Sequence, residues 1–262
     1  MRWLRFGWRM TWLALHVLAG VLLTLMFYRR DRHTQQRHHN PYVVAWWHAR
    51  LLRILGVQVE RIGHLPRPPA LVVANHISWL DIPVIGATLH TSFLSKDEVR
   101  SWPLVGWLAS CAGTLFIRRG SGQTAALTEG IAQRLSTDGI ITLFPEGTTT
   151  DGQDVRPFFS RLFAAAIDTG TEVTTVALHY QIAGQHDPRL PFVGEQSLAD
   201  NLIYLLQQPR VDVRLTVGPL MSVRGKDRKT LAEQARRQIR EAIRPADANR
   251  PVATQDAGSR RA

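Results

Sequence analysis

Ala70-Leu-Val-Val-Ala74 runs without interruption into Asn75-His76-Ile-Ser-Trp-Leu-Asp81, and the reading of this stretch decides the fold. Five apolar residues bounded by Pro66-Arg-Pro-Pro69 are too few for a helix and show no alternation, so they form a strand buried on both faces. Such strands belong to parallel sheets covered by helices. A helix is expected after Ser78, which places the polar residues 75–81 where a strand ends and a helix begins. Working outward, further strands are expected at 114–117, 139–144, 173–179 and 211–217, with helical patterns at 39–56, at 122–135 and after Asp154. The alternation predicts an α/β fold, a mixed sheet with helices packed on it. Thr230-Leu-Ala-Glu233 reads as a capping box opening a helix with the stripe Leu231, Ala235, Ile239 and Ile243.

Upstream of this core, residues 11–28 carry no formally charged side chain. Eighteen helical residues reach about 27 Å, close to the thickness of a bilayer core. Arg5 and Arg9 precede the run, Arg29, Arg30, Arg32 and Arg37 follow it, and Trp3, Trp8 and Trp12 lie at its start. The segment is expected to be a membrane anchor, spanning or interfacial, alone or paired with the helix at 39–56. It lacks a small-residue cleavage site, which sets it apart from a signal peptide. The expected organisation is an anchor with basic flank at 1–38, an α/β domain at 39–243 and a disordered tail at 244–262. The larger basic cluster follows the apolar run, so the domain is expected on the cytoplasmic side of the inner membrane.

The chain has 262 residues and a formal net charge of +11. Seven Arg against one Asp fall in residues 1–40, so the basic excess clusters beside the apolar helix, which suits lipid headgroups and argues against nucleic acid. A single cysteine, Cys111, excludes an intramolecular disulfide framework and offers no thiolate metal site. His33, His38 and His39 lack a carboxylate or thiolate pair, so no metal site is expected there. Ser160 and Cys111 have no base near them in sequence and are not proposed as nucleophiles.

Three short constellations carry chemistry. His76 at a strand end removes a proton from an alcohol if a carboxylate holds its other nitrogen, and Asp81 is five residues on. Composition supplies about 0.5 His-x4-Asp pairs by chance, falling to about 0.01 once Asn75 is required before the histidine. Phe116-Ile-Arg118-Arg119-Gly120 ends an apolar strand in paired guanidinium groups that match a phosphate. Phe144-Pro-Glu146-Gly147-Thr148 is a tight turn after the strand Gly139-Ile-Ile-Thr-Leu143, with Glu146 placed for an acceptor headgroup or an arginine of the second constellation.

In this order, Asn-His-x4-Asp, Phe-Ile-Arg-Arg and Phe-Pro-Glu-Gly-Thr strongly resemble the lysophosphatidic acid acyltransferase family, over about residues 70–180. Lys96-Asp-Glu and Trp102-Pro-Leu-Val-Gly106 also resemble its pattern. The resemblance implies transfer of a fatty acyl group from acyl-CoA or acyl carrier protein to the free hydroxyl of lysophosphatidic acid at the membrane surface, with no cofactor. It implies His76 as general base, Asp81 as its orienting partner, Arg118 and Arg119 on the acceptor phosphate, and Asn75, Glu146, Gly147, Thr148 and Lys96 around the substrate. Val173-Thr-Thr-Val-Ala-Leu178 departs from the family's fourth motif, with Thr175 where that motif has proline. Pro191-Phe-Val-Gly194 is similar to members acting on lyso-ornithine lipids. Lyso-ornithine lipid O-acylation and phospholipid transacylation are therefore alternatives within acyl transfer. A non-catalytic basic membrane-binding protein is the alternative from another class.

Overall fold

A computed structural model describes residues 1–27, 29–30, 37–38, 40–117, 124–137 and 139–244. Helix α1 (Arg2–Phe27) is followed by two two-residue strands, β1 (Arg29–Arg30) and β2 (Arg37–His38), and then by α2 (Pro41–Leu55). The sheet region comprises β3 (Val57–Ile62), β4 (Ala70–Ala74), α3 (Asp81–Thr88), β5 (Ser92–Lys96), α4 (Asp97–Arg100), α5 (Val105–Cys111) and β6 (Leu115–Ile117). It continues through α6 (Thr124–Ser136), β7 (Ile140–Leu143), α7 (Ala164–Thr169), β8 (Val173–Gln181), α8 (Leu198–Gln207), β9 (Val211–Val217) and α9 (Arg228–Ile243).

Seven strands form one sheet in the order β3-β9-β8-β4-β7-β5-β6. β4 lies at its centre, parallel to β7 on one side and β8 on the other, with Val72 opposite both Thr142 and Thr174. β8 and β9 are antiparallel, which makes the sheet mixed. All five residues of β4 are buried, and they divide by the period of two that a strand imposes. Ala70, Val72 and Ala74 face a core shared with α2, α3 and α8, whereas Leu71 and Val73 face a core shared with α6, α7 and α9. Helices therefore cover both faces, as an apolar central strand requires.

Two strands of the seven-stranded sheet, β3 and β5, and three helices, α4, α5 and α8, were not anticipated from sequence. β3 is an edge strand carrying Gln58, Glu60 and Arg61, and β5 is Ser-Phe-Leu-Ser-Lys. Both are too polar to stand out as buried runs. α8 opens with Ser197 accepting from the Ala199 amide. The C-terminal helix begins earlier than the capping-box reading had it: Asp227 accepts from the amides of Lys229 and Thr230, so Thr230 lies inside the first turn. The expected tail lies outside the described residues from 245 onward.

α1 begins nine residues before the apolar run, because its first turns are amphipathic and have a partner. Phe6, Met10 and Leu13 pack against the core. The Arg5 guanidinium donates to the Gln207 carbonyl at 2.8 Å, and that of Arg9 donates to the carbonyls of Gln208 and Pro209 at 2.7 and 3.1 Å. These are the carbonyls left unpaired where α8 ends. Gly56 closes α2 with φ +76°, which favours glycine, and a Cβ there would lie 1.9 Å from the Arg9 guanidinium and displace it from its carbonyls. Arg9→Ala is expected to loosen this docking by about 1.5–3 kcal/mol. Hydrogen exchange should show amides of α1 and the α8 end opening faster while those of β4 and β7 keep their protection.

Candidate active site

The parallel strands β4, β7 and β8 all deliver their C-terminal ends to one edge, and the site is built there. β8 runs past the end of β4, since Ala74 already faces Val176. Asn75 fills the gap. Its Nδ2 donates to the Leu178 carbonyl at 3.0 Å and its Oδ1 accepts from the Leu178 amide at 2.8 Å, so the side chain replaces the next backbone unit of the strand. Both ends of the Asn75 amide are spent on β8 and the residue is fully buried, so its side chain here holds the strand end, where the sequence expectation had it around the substrate.

Asp81 is the first residue of α3 and is 0 % exposed. Its Oδ2 accepts from the amides of Ile77 and Ser78 at 2.7 and 3.0 Å and lies 2.7 Å from His76 Nδ1. Its Oδ1 accepts from the Tyr180 hydroxyl at 2.7 Å. A buried carboxylate needs such a set of donors. With Asp81 as the acceptor, the neutral His76 ring is assigned its proton on Nδ1, which leaves Nε2 bare. Burial, then the Asp81 charge, pushes the Tyr180 hydroxyl well above the ordinary phenol range, so it remains a donor.

The His76 side chain is 21 % exposed and stacks on Phe144 with ring centroids 4.1 Å apart. The turn that follows Phe144 holds the histidine backbone at both ends. Glu146 Oε1 accepts from the His76 amide at 2.8 Å, and the Thr150 amide donates to the His76 carbonyl at 2.8 Å. Glu146 Oε2 accepts from the Arg156 amide at 2.8 Å. With 4 % of its surface exposed and both oxygens accepting from backbone amides, Glu146 is a brace between two loops; the arginines of the second constellation lie outside the described residues. Burial raises its carboxyl above the ordinary range, and the two amide bonds oppose that shift. Gly147, at φ +69°, makes the turn possible.

The remaining expected residues fall into two groups. Thr148 is part-exposed in the same loop, and Lys96 is exposed at the end of β5, on the edge that also carries His76. Lys96 faces Ile117, the last residue of β6, while Arg118, Arg119 and Gly120 lie outside the described residues. Thr175 is buried and donates to Gln238 of α9 at 3.1 Å. The Phe192 amide donates to the Ile77 carbonyl at 2.9 Å and the Thr149 hydroxyl donates to the Phe192 carbonyl, which ties the segment 191–194 to both loops of the site. Among the described residues no three His, Cys, Asp or Glu side chains gather as metal ligands.

Tyr180 was not singled out from sequence. It lies 99 residues beyond Asp81, and an apolar strand with a tyrosine carries no local signal of that bond. Tyr180→Phe is expected to lower kcat about tenfold, the value of one hydrogen bond to a charged group, with little change in KM. Glu146→Gln exchanges one acceptor for a donor facing an amide, and should reduce thermal stability by about 1–3 kcal/mol.

Comparison with known proteins agrees with this architecture. A model of the family described as Acyltransferase matches residues 56–179. A lyso-ornithine lipid O-acyltransferase of Pseudomonas aeruginosa is 45 % identical over 201 residues, which cover 77 % of this chain and 78 % of the relative. A 1-acyl-sn-glycerol-3-phosphate acyltransferase of Neisseria meningitidis serogroup B is 31 % identical over 192 residues, 72 % of this chain and 75 % of the relative. The crystal structure of the 1-acyl-sn-glycerophosphate acyltransferase of Thermotoga maritima superposes with a TM-score of 0.66 at 21 % identity, covering 94 % of this chain and 99 % of that one, and so shares the fold. On this extent of similarity the chain belongs to the acyltransferase family that holds the lyso-ornithine lipid and 1-acylglycerol-3-phosphate enzymes.

Proposed function

We propose that this acyltransferase moves a fatty acyl group from a thioester donor, acyl-CoA or acyl carrier protein, to the free hydroxyl of lyso-ornithine lipid. The observation that carries the choice of acceptor is the 45 % identity to a lyso-ornithine lipid O-acyltransferase over about three quarters of both chains. The position of residues 191–194, bonded to the loops that hold His76, supports it. A second reading, with lysophosphatidic acid as acceptor, is favoured by the paired Arg118 and Arg119 after β6 and by the similarity to the Neisseria enzyme.

In the reaction, His76 Nε2 takes the proton of the acceptor hydroxyl as its oxygen attacks the thioester carbonyl. Asp81 fixes the ring through Nδ1 and stabilises the imidazolium that forms. A new C–O bond gives a tetrahedral intermediate, whose collapse breaks the C–S bond; the thiol leaves with the proton held by His76. A thioester is already activated, so direct transfer suffices without an acyl-enzyme. Donors such as Lys96 and backbone amides of the site loops are assigned to the oxyanion.

The enzyme works on a bilayer by this reading, at the cytoplasmic face of the inner membrane. α1 has a mean hydropathy of 1.6 over its most apolar window, of which only 17 % is buried. Its residues 5–13 are held on the domain; in residues 14–27, about 21 Å of helix, His16 and Gly20 pack on Trp47 of α2 and the opposite, exposed face is left for insertion. That length is short of the roughly 30 Å hydrocarbon core, which favours entry into one leaflet over a span. Exposed Trp102, Leu104 and Val105 lie on the segment leading into α5, which packs beside α1.

Purified protein in mixed micelles, given each acceptor with each donor, tests the assignment through the lipid products by mass spectrometry. Ornithine lipid is expected as the main product, and His76→Ala should lower kcat by about 10²–10⁴-fold. Phosphatidic acid as the main product would favour the second reading. Undiminished turnover by His76→Ala would remove the histidine from the mechanism.

A further inference from the structure

α1 and α2 contain no acidic residue, and they carry Arg2, Arg5, Arg9, Arg50 and Arg53. The helices run antiparallel, with His16 stacked on Trp47 at 4.6 Å and Arg9 beside Gly56. Between them, near the end of α2, is a pocket of about 210 Å³ lined by Trp8, Arg9, Trp12, Arg50, Arg53 and Ile54. That is room for several waters, or for a phosphodiester with part of its alcohol.

The walls are chemically distinct. The Arg9 guanidinium is committed to the carbonyls of Gln208 and Pro209 and forms a fixed cationic floor. Arg50 and Arg53 are exposed, and neither donates a hydrogen bond nor meets a carboxylate among the described residues. Trp8 and Trp12 form an edge-to-face pair, with centroids 5.7 Å apart, along the rim. The exposed stripe Leu15, Leu18, Leu22 and Leu25 then leads away from this rim along α1. Unpaired guanidinium groups, indole rings and an apolar stripe succeed one another in the order headgroup, interface and hydrocarbon.

We infer that this pocket is a binding site for the phosphodiester of an anionic glycerophospholipid of the bilayer, held by Arg50 and Arg53 and flanked by Trp8 and Trp12. The site lies on the anchor helices, apart from the His76 loop, and takes a resident lipid instead of the acyl acceptor. It supplies the enzyme with a fixed height and orientation on the membrane. Paired guanidinium groups suit a phosphodiester through directed N–H donors, beyond their charge.

Full-length protein in a neutral detergent, titrated calorimetrically with dihexanoyl phosphatidylglycerol, dihexanoyl phosphatidylcholine and inorganic phosphate, tests this. Saturable binding of phosphatidylglycerol is expected, with the other two at least about tenfold weaker. At about fivefold per arginine, Arg50→Gln with Arg53→Gln should weaken that binding about 30-fold. Arg50→Lys with Arg53→Lys keeps the charge and loses the planar donors, so it should also bind several-fold more weakly. Equal binding by the lysine pair and the native protein would reduce the effect to diffuse charge and overturn the site. Equal affinity for inorganic phosphate would make it a free-phosphate site and overturn the lipid assignment. Binding is read without turnover, and the melting temperature of each variant reports folding, so failure here leaves the catalytic assignment standing.

Discussion

Every arrangement around the site depends on the buried carboxylate of Asp81. A carboxylate removed from water is tolerated only if its lone pairs are met, and here four donors converge on it: two loop amides, the His76 ring and the Tyr180 hydroxyl. Satisfying that one group folds the turn 76–80, sets the histidine tautomer and ties β8 to α3. The exposed edge of His76 is then a consequence of burying its partner. Geometry of this kind is what a general base requires, since the imidazole must be pre-oriented before the acceptor arrives.

Around the dyad, residues that resemble substrate contacts in sequence turn out to hold the loop. Asn75 continues β4 by side-chain bonds to β8, and Glu146 spends both oxygens on backbone amides. The third constellation acts as a clamp on the first: Phe144 under the ring, Glu146 on the amide and Thr150 on the carbonyl of the same histidine. The anchor is joined to the same structure. α2 packs on α3, and His48 of α2 sits against Gly86, so the helix that begins with Asp81 rests directly on the helix pair proposed to meet the membrane.

Much of the frame was legible because buried strands must be apolar. β4, β7, β8 and β9 all announce themselves as Val-, Ile- or Leu-rich runs between turn residues, and the two constellations that build the described site sit at their ends. The edge strand β3 and the outlying strand β5, next to the last in the sheet, escaped for the same physical reason in reverse, since Gln58 and Glu60 of β3 and Ser92 and Ser95 of β5 face solvent or a partial cover. The pairing of His76 with Asp81 was legible from spacing. The roles of Asn75, Glu146 and Tyr180 were not, because each depends on a partner 70 or more residues away and a local reading sees only a polar side chain at a turn.

Histidine-selective ¹⁵N NMR on the full-length protein reads the tautomer of His76 directly, with His76→Gln identifying its resonances among the ten histidines. The account predicts a proton on Nδ1, hydrogen-bonded to Asp81, and a bare Nε2 whose shift moves when the acceptor lipid binds. A proton found on Nε2 in the neutral ring would leave no base facing the acceptor hydroxyl and would contradict the account.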